Sequence, residues 1–225
     1  MLSVFGRPSV SKVTAPIGRA LIRAGISPDA VTIFGTAVTV VTAVALFPRG
    51  YLFWGAILIS AFVLLDLIDG AMARARGGGT PFGAVLDATG DRIADGAIFG
   101  ALAFWAAFHT DSTVLVVLTL FVLVASQVIS YVKARAEASG LSADGGLIER
   151  SDRLVIVLLG AGFTGIGVGV AIHIAMWVLA VGSAITIAQR LLAVRSSPGA
   201  RTIIPISSPQ GESEEKPSEY LGETI

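Results

Sequence analysis

The sequence predicts an all-α membrane protein, with six transmembrane helices preceded by an amphipathic helix on the cytoplasmic surface. Three observations carry this expectation. Of 225 residues, 54% are hydrophobic and only 14% charged, against about 25% charged in an average soluble chain. Apolar runs close to the roughly 20 residues that cross a bilayer recur along the chain, at about 29–48, 51–72, 82–108, 113–135, 153–171 and 173–194. Most of these runs lack the polar face that a soluble helix of the same length carries.

The first element is the stretch "VSKVTAPIGRALIRA" at 10–24. Helical spacing puts Val13, Ile17, Ala20, Leu21 and Ala24 on one side and Lys12, Arg19 and Arg23 largely on another, the pattern of a helix lying in the membrane surface. Gly25 ends it. Ser27-Pro28 then opens the first span with a capping side chain and a proline at the first helical position. No removable signal peptide is expected, because the N-terminus has neither a continuous apolar core nor a small-residue cleavage site. Without cysteine there is neither disulfide nor thiol chemistry.

Between the second and third spans lies "RARGGGTP" (74–81), a short glycine-rich turn that makes these helices antiparallel neighbours, with Thr80-Pro81 opening the third. The run "GAGFTGIGVG" (160–169) reads as a short turn with small residues for close packing between the last two spans. Basic residues set the orientation. Fourteen of the 16 Lys and Arg fall on one side if both termini are cytoplasmic, leaving Arg49 in an opposite-side turn and Arg92 inside the third span. The last residues, "SSPQGESEEKPSEYLGETI", are acidic and have little to bury, as in a disordered tail. The expected organisation is therefore a surface helix at 1–25, a six-helix domain at 26–200 and an acidic cytoplasmic tail at 201–225.

Five aspartates interrupt this apolar chain: Asp66, Asp69, Asp87, Asp91 and Asp95. On a helix, Asp66, Asp69, Gly70, Ala73 and Arg74 fall within an arc of about 140°. Gly83, Asp87 and Asp91 form a second row at i, i+4 and i+8. The two carboxylate faces meet near the cytoplasmic surface, where four uncompensated charges would repel and each would cost about 2.5–3.5 kcal/mol at membrane depth. Divalent cations are the natural remedy, and all-oxygen ligands suit Mg²⁺ or Mn²⁺. Gly70, Ala73 and Gly83 leave room beside the carboxylates, and Arg74 offers a fork that fits phosphate. The combination points to phosphoryl chemistry on a metal-bound pyrophosphate. Intramembrane aspartates also serve as proton relays or polar packing groups. A relay, however, needs no phosphate-sized gap, and a transporter would need ionisable residues in the outer halves of these spans, which are almost bare of them. Asp95, one turn beyond Asp91, is expected to support the site or the packing.

A second polar cluster lies in "SQVISYVKARAEASGLSADGGLIERSDRL" (126–154). Ser130, Lys133, Arg135, Glu149, Arg150 and Arg153 fall at the cytoplasmic surface, Lys133 on one helix face with Ser130, and Arg190 approaches from the sixth span. Such a cluster suits an anionic acceptor, most simply a phosphate. The alternative is a set of ordinary anchors reaching lipid headgroups.

The spacing Asp66-x2-Asp69-Gly70-x2-Ala73-Arg74-x8-Gly83-x3-Asp87-x3-Asp91 resembles the complete signature of the CDP-alcohol phosphotransferase family, with eight matched residues over 26 positions. The resemblance implies six transmembrane helices, a homodimer in the cell membrane, and transfer of a substituted phosphate from a CDP-linked lipid to an alcohol with release of CMP. It implies that Asp66, Asp69, Asp87 and Asp91 hold two Mg²⁺ ions, and that Asp91 also takes the proton of the attacking hydroxyl. By the same resemblance Asp29, Ala30, Val31 and Thr32 contact the nucleotide, Gly70, Ala73 and Gly83 border the cytidine, Arg74 lies near its phosphates, and Thr80 either caps its helix or touches the CDP group. Over about residues 7–200 the chain is similar to actinobacterial members of this family whose donor is CDP-diacylglycerol and whose acceptor is 1D-myo-inositol 3-phosphate. That similarity implies an acceptor phosphate held by Ser130, Lys133, Arg135, Arg153 and Arg190. Glycerol 3-phosphate, another phosphorylated alcohol, is the rival acceptor, and an ion-coupled transporter is the remoter alternative. No nucleic-acid partner is expected.

Overall fold

The computed structural model describes residues 16–63 and 66–203, without the side chains of Asp66, Leu67 and Asp69. The expected surface helix falls partly outside this range, and its described part is helical over 16–23 (α1). Its end is closed by Gly25 at φ 80°, where the Ile26 amide donates to the Leu21 carbonyl, a left-handed C-cap of the Schellman type. A Cβ on Gly18 would stand 3.1 Å from the Met72 side chain, so α1 rests on the helix that carries the first aspartates.

The first long helix, α2, spans Pro28–Leu46, with Ser27 as N-cap accepting from the Ala30 amide at 3.1 Å. A 3-10 turn, Phe47–Arg49, and Gly50 at φ 81° reverse the chain. Helix α3 (Leu52–Val63) and helix α4 (Asp66–Ala75) follow. Gly77 and Gly78, both with positive φ, form the turn into α5, Pro81–His109, which Thr80 caps by accepting from the Gly83 amide at 2.9 Å. Helix α6 runs over Thr113–Ala138, α7 over Arg150–Gly165 and α8 over Val170–Ser196. The described residues are otherwise turns and loops, without a strand.

The helices pack as a ring. α2 lies on α5, α5 on α6, α6 on α8, α8 on α7, α7 on α3, and α3 closes back onto α2. The interior is apolar, with Phe47, Phe99, Leu102, Leu115, Met176 and Leu179 all nearly or wholly buried. Close approaches need glycine. A Cβ on Gly160 would come within 2.6 Å of Ala175 Cβ, and one on Gly182 would run into the Ile148 side chain. The connection between α7 and α8 is shorter than the turn expected at 160–169: residues 160–165 belong to α7, and only 166–169 join it to α8.

Three of the expected spans are long and apolar enough to cross a membrane: Pro28–Arg49, Thr113–Ala138 and Val170–Ser196. They leave large apolar side chains such as Val41, Val117 and Trp177 exposed, as lipid-facing helices do. Of the other expected spans, the one at 51–72 is helical on both sides of residues 64 and 65, as α3 and α4. α7 has 16 residues, a length of about 24 Å at 1.5 Å per residue, short of the roughly 30 Å hydrocarbon core. α5, with 29 residues, is long enough but carries Asp87, Asp91, Arg92 and Asp95. α7 also starts and stops earlier than 153–171, because Glu149 and Asp152 form a capping box and Gly167 at φ 103° ends the helix.

At Gly165, the last residue of α7, a Cβ would collide with the Phe53 backbone nitrogen of α3. Backbone cannot step aside as a side chain can. Gly165→Ala is expected to lower stability by about 1–3 kcal/mol, measured by thermal unfolding of the detergent-solubilised protein.

Candidate active site

Three helix ends converge on one cavity of about 290 Å³. The start of α2 supplies Ser27, Asp29 and Thr32. α4 contributes Gly70 and Ala73, and the glycine turn adds Arg76, Gly78 and Gly79. From α5 come Thr80 at the cap, then Gly83 and Asp87. Each element starts or stops here for a local reason. Ser27 and Thr80 terminate their helices by capping, and the positive-φ glycines permit the tight return between α4 and α5.

Glycine makes the space. A Cβ at Gly83 would stand 3.1 Å from Thr80 Oγ1 and 3.2 Å from Asp29 Oδ1, so any side chain there would fill the cavity's wall. A Cβ at Gly70 would lie 3.4 Å from Arg74 Nη1, which puts the Arg74 guanidinium over that glycine. Arg76, unmarked by the sequence pattern, lines the cavity and donates from Nη2 to the Ile26 carbonyl at 3.1 Å. Ala30 and Val31 behave differently from their neighbours. Ala30 is exposed and its amide serves the Ser27 cap, while Val31 is buried.

Asp87 faces this cavity from an exposed position on α5, and Asp91 stands one turn deeper. The backbone of Asp66 and Asp69 is helical in α4 as expected, and their side chains lie outside the described residues. A carboxylate row beside a glycine cradle, with oxygen as the ligand atom, fits a hard divalent cation.

The deeper end of α5 is a charged network. Arg150 Nη1 lies 2.7 Å from Asp91 Oδ1, and Arg150 Nε lies 3.5 Å from Asp95 Oδ1. Arg153 Nη2 donates to Asp95 Oδ2 at 3.0 Å, with both side chains 1% exposed. Arg92 Nη2 lies 3.7 Å from the other oxygen of Asp91. Arg150 and Arg153 belong to the first turn of α7, so the Glu149 capping box also fixes where these two guanidinium groups enter.

The remaining cluster residues divide. Arg190 is buried and meets α6 as expected, Nη1 donating to the Ile129 carbonyl at 2.6 Å and Nε to the Gly145 carbonyl at 3.1 Å. This brings it beside Ser130, whose hydroxyl donates to the Ser126 carbonyl. Lys133 remains half-exposed, 3.9 Å from Glu137, and Arg135 is exposed. Gln127 donates to the Arg92 carbonyl at 3.4 Å, which ties this part of α6 to α5 next to Asp91.

An apolar groove of about 620 Å³ runs between α3 and α7. Arg150 and Ser151 stand at its charged end, Ala56, Leu154 and Leu158 along it, and Phe163 and Ile166 at the far end. No periodicity marks this groove in the sequence, since it exists only where two helices diverge.

The model of the CDP-alcohol phosphatidyltransferase family matches residues 25–188. The chain belongs to that family. Among its relatives, the phosphatidylinositol phosphate synthase of Mycobacteroides abscessus is 62% identical over 92% of this chain and 94% of its own length. That of Mycolicibacterium smegmatis is 57% identical over 93% and 95%. Two crystal structures of the Mycobacterium tuberculosis phosphatidylinositol phosphate synthase share the fold. The one with CDP-DAG bound has a TM-score of 0.83 at 56% identity, covering 87% of this chain and all of its own. The one in complex with manganese and citrate has a TM-score of 0.82 at 57% identity, covering 85% and 93%. As a CDP-alcohol phosphatidyltransferase this chain is an enzyme, and four residues of the signature spacing, Gly70, Ala73, Gly83 and Asp87, line the cavity.

Breaking the Asp95–Arg153 pair from either side leaves a buried charge without its partner. Arg153→Ala is expected to lower stability by about 3–5 kcal/mol, read as an earlier denaturation midpoint in detergent.

Proposed function

We propose that this enzyme transfers the phosphatidyl group of CDP-diacylglycerol to 1D-myo-inositol 3-phosphate, giving phosphatidylinositol phosphate and CMP. The observation that carries the reading is the cavity itself, in which Asp29, Thr32, Gly70, Ala73, Thr80, Gly83 and Asp87 from three separate elements face one space. Relatives named for this synthesis, identical at about three residues in five, support the choice of acceptor.

In this reading Asp66, Asp69, Asp87 and Asp91 hold two Mg²⁺ ions, or Mn²⁺ in their place. When bound, the metal supplies Lewis-acid stabilisation of pyrophosphate charge. The nucleotide occupies the cavity, against Asp29 to Thr32 and the two glycines, with Arg74 and Arg76 near its phosphates. The acyl chains follow the apolar groove, whose charged end is Arg150. Asp91 accepts the proton of the acceptor's 1-hydroxyl, the hydroxyl oxygen bonds to the lipid-linked phosphorus, and the bond from that phosphorus to CMP breaks. No covalent intermediate on the protein is required. In this reading the acceptor phosphate falls to Ser130, Lys133 and Arg135 of α6, Arg153 of α7 and Arg190 of α8.

The same reading has six spans in the plasma membrane, an amphipathic helix on its surface, and termini and site in the cytoplasm, in keeping with the basic residues. It also includes a homodimer. Gly96 and Gly100, whose Cβ positions meet nothing within 4 Å, continue into exposed Phe104 and Phe108 at helical spacing on α5, a stripe that suits a second copy.

Purified protein given CDP-diacylglycerol, Mg²⁺ and inositol 3-phosphate is expected to release CMP, and free inositol is expected to give none. Turnover with glycerol 3-phosphate instead would overturn the acceptor. Asp91→Asn is expected to slow release by about 10²–10⁴-fold. EDTA should abolish it, with recovery on adding Mg²⁺ or Mn²⁺. Gly83→Val, which fills the cavity wall, is expected to raise the KM for CDP-diacylglycerol by about tenfold while leaving the KM for the acceptor unchanged.

A further inference from the structure

Asp95 belongs neither to the carboxylate signature nor to the basic cluster, yet it is buried in a helix beside both. An ionised side chain at that depth is retained only where it is compensated. Its two oxygens face two different arginines, Oδ2 at 3.0 Å from Arg153 Nη2 and Oδ1 at 3.5 Å from Arg150 Nε. Those arginines stand three residues apart in the first turn of α7, on one face of that helix. Arg150 reaches on from Asp95 to Asp91 at 2.7 Å. Arg153 is fully buried, and its Nε has no hydrogen-bond partner among the described residues. The order in space is therefore Arg153, Asp95, Arg150, Asp91: one carboxylate between two guanidinium groups, with the second of these on the carboxylate assigned as the base.

We propose that Asp95 is a positioning residue for acceptor recognition, holding Arg150 and Arg153 at the Asp91 end of α5 so that the acceptor phosphate is gripped with its hydroxyl at Asp91. Asp95 itself touches neither substrate nor metal in this arrangement. A guanidinium has many rotamers and five donors in a fixed fork, and a phosphate is recognised well only if that fork is already aimed. Asp95 removes that freedom from two arginines at once. It also places Arg150, which belongs to the basic cluster but not to the five residues given to the acceptor phosphate, within reach of the acceptor at Asp91.

The proposal rests on the reaction proposed above, and the experiment separates the two. Asp95→Asn keeps the shape and removes the charge. Asp95→Glu keeps the charge with a longer reach. The full chain in detergent is assayed for CMP release with inositol 3-phosphate and with free inositol, and inositol 3-phosphate binding is measured by calorimetry. Asp95→Asn is expected to raise the acceptor KM and its dissociation constant by about tenfold and to narrow the preference for inositol 3-phosphate over inositol. The KM for CDP-diacylglycerol should stay put, and kcat at saturating acceptor should remain within about threefold. Asp95→Glu should recover part of the lost affinity.

A merely structural role would lower the melting temperature and the yield of active protein without moving either constant, and that result would overturn the proposal. So would failure of both variants to fold, which would make the pair a folding element. A wild-type enzyme that uses no phosphorylated alcohol would overturn the acceptor reading and this proposal together. A wild type that uses one, beside an Asp95→Asn variant with unchanged acceptor KM, would overturn this proposal alone.

Discussion

The ion pair between Asp95 and Arg153 is the constraint on which the charged end of the site depends. A carboxylate buried among helices of a membrane protein must meet a cation at short range, and here the cation comes from an element 58 residues away in sequence. This requirement ties the first turn of α7, which packs on α3 and α8, to α5. With α7 placed, Arg150 necessarily falls at Asp91, because three residues separate the two arginines and four separate the two aspartates, one turn of each helix. Burying an ion pair adds little net stability by itself. The effect of this one is on register, since a slip of α7 would leave a buried charge without its partner.

Holding the start of α7 in place falls to the loop before it. The Leu147 amide donates to Gln189 Oε1 at 2.9 Å and the Ile148 amide to Thr186 Oγ1 at 3.0 Å. Arg190 bonds the Gly145 carbonyl from the same helix, and Ser142 and Ser197 exchange bonds further along. Four side chains of α8 or its cap thus clasp residues 142–148, whose backbone has no helix or sheet to satisfy it. Gly146 at φ 137° passes so near Thr186 that a Cβ would come within 2.6 Å of its methyl group. Arg190 therefore has a structural task before any ligand arrives: it joins α6, the loop and α8 where Ser130 lies.

Much of this was legible in the sequence wherever chemistry is local. Ser27 and Thr80 read as caps because a hydroxyl followed by proline at the first helical position has few other uses, and both accept from the expected amides. The aspartate rows were legible because helical periodicity alone puts Asp87 and Asp91 on one face. What resisted reading was non-local. Arg153 reads from sequence as part of a basic cluster for an anionic acceptor, and its burial against Asp95 of α5 depends on a contact 58 residues away. Arg76 sits in a glycine-rich turn whose path depends on φ angles that sequence does not dictate uniquely. The length of α7 misread for a similar reason: hydrophobicity runs past the stop at Gly165 to Gly167, and composition does not register where a helix ends.

The arrangement also bears on how two unlike substrates reach one set of carboxylates. A lipid donor arrives from the hydrocarbon, and a phosphorylated alcohol from water, so the site needs an apolar approach and a polar one that do not overlap. The groove between α3 and α7 is lined by Ala56, Leu154, Leu158 and their apolar neighbours and ends at Arg150. The polar side, where Ser130 and Arg190 meet, lies on α6 and α8, across the ring. In the proposed reading α7 lies between the two approaches, with Arg150 of its first turn lining the groove. Arg150 is also bonded to Asp91, so a charge on either incoming substrate must contend with the same guanidinium. Acceptor selectivity in such a site therefore depends less on how many basic residues surround it than on whether that one turn of α7 is held still.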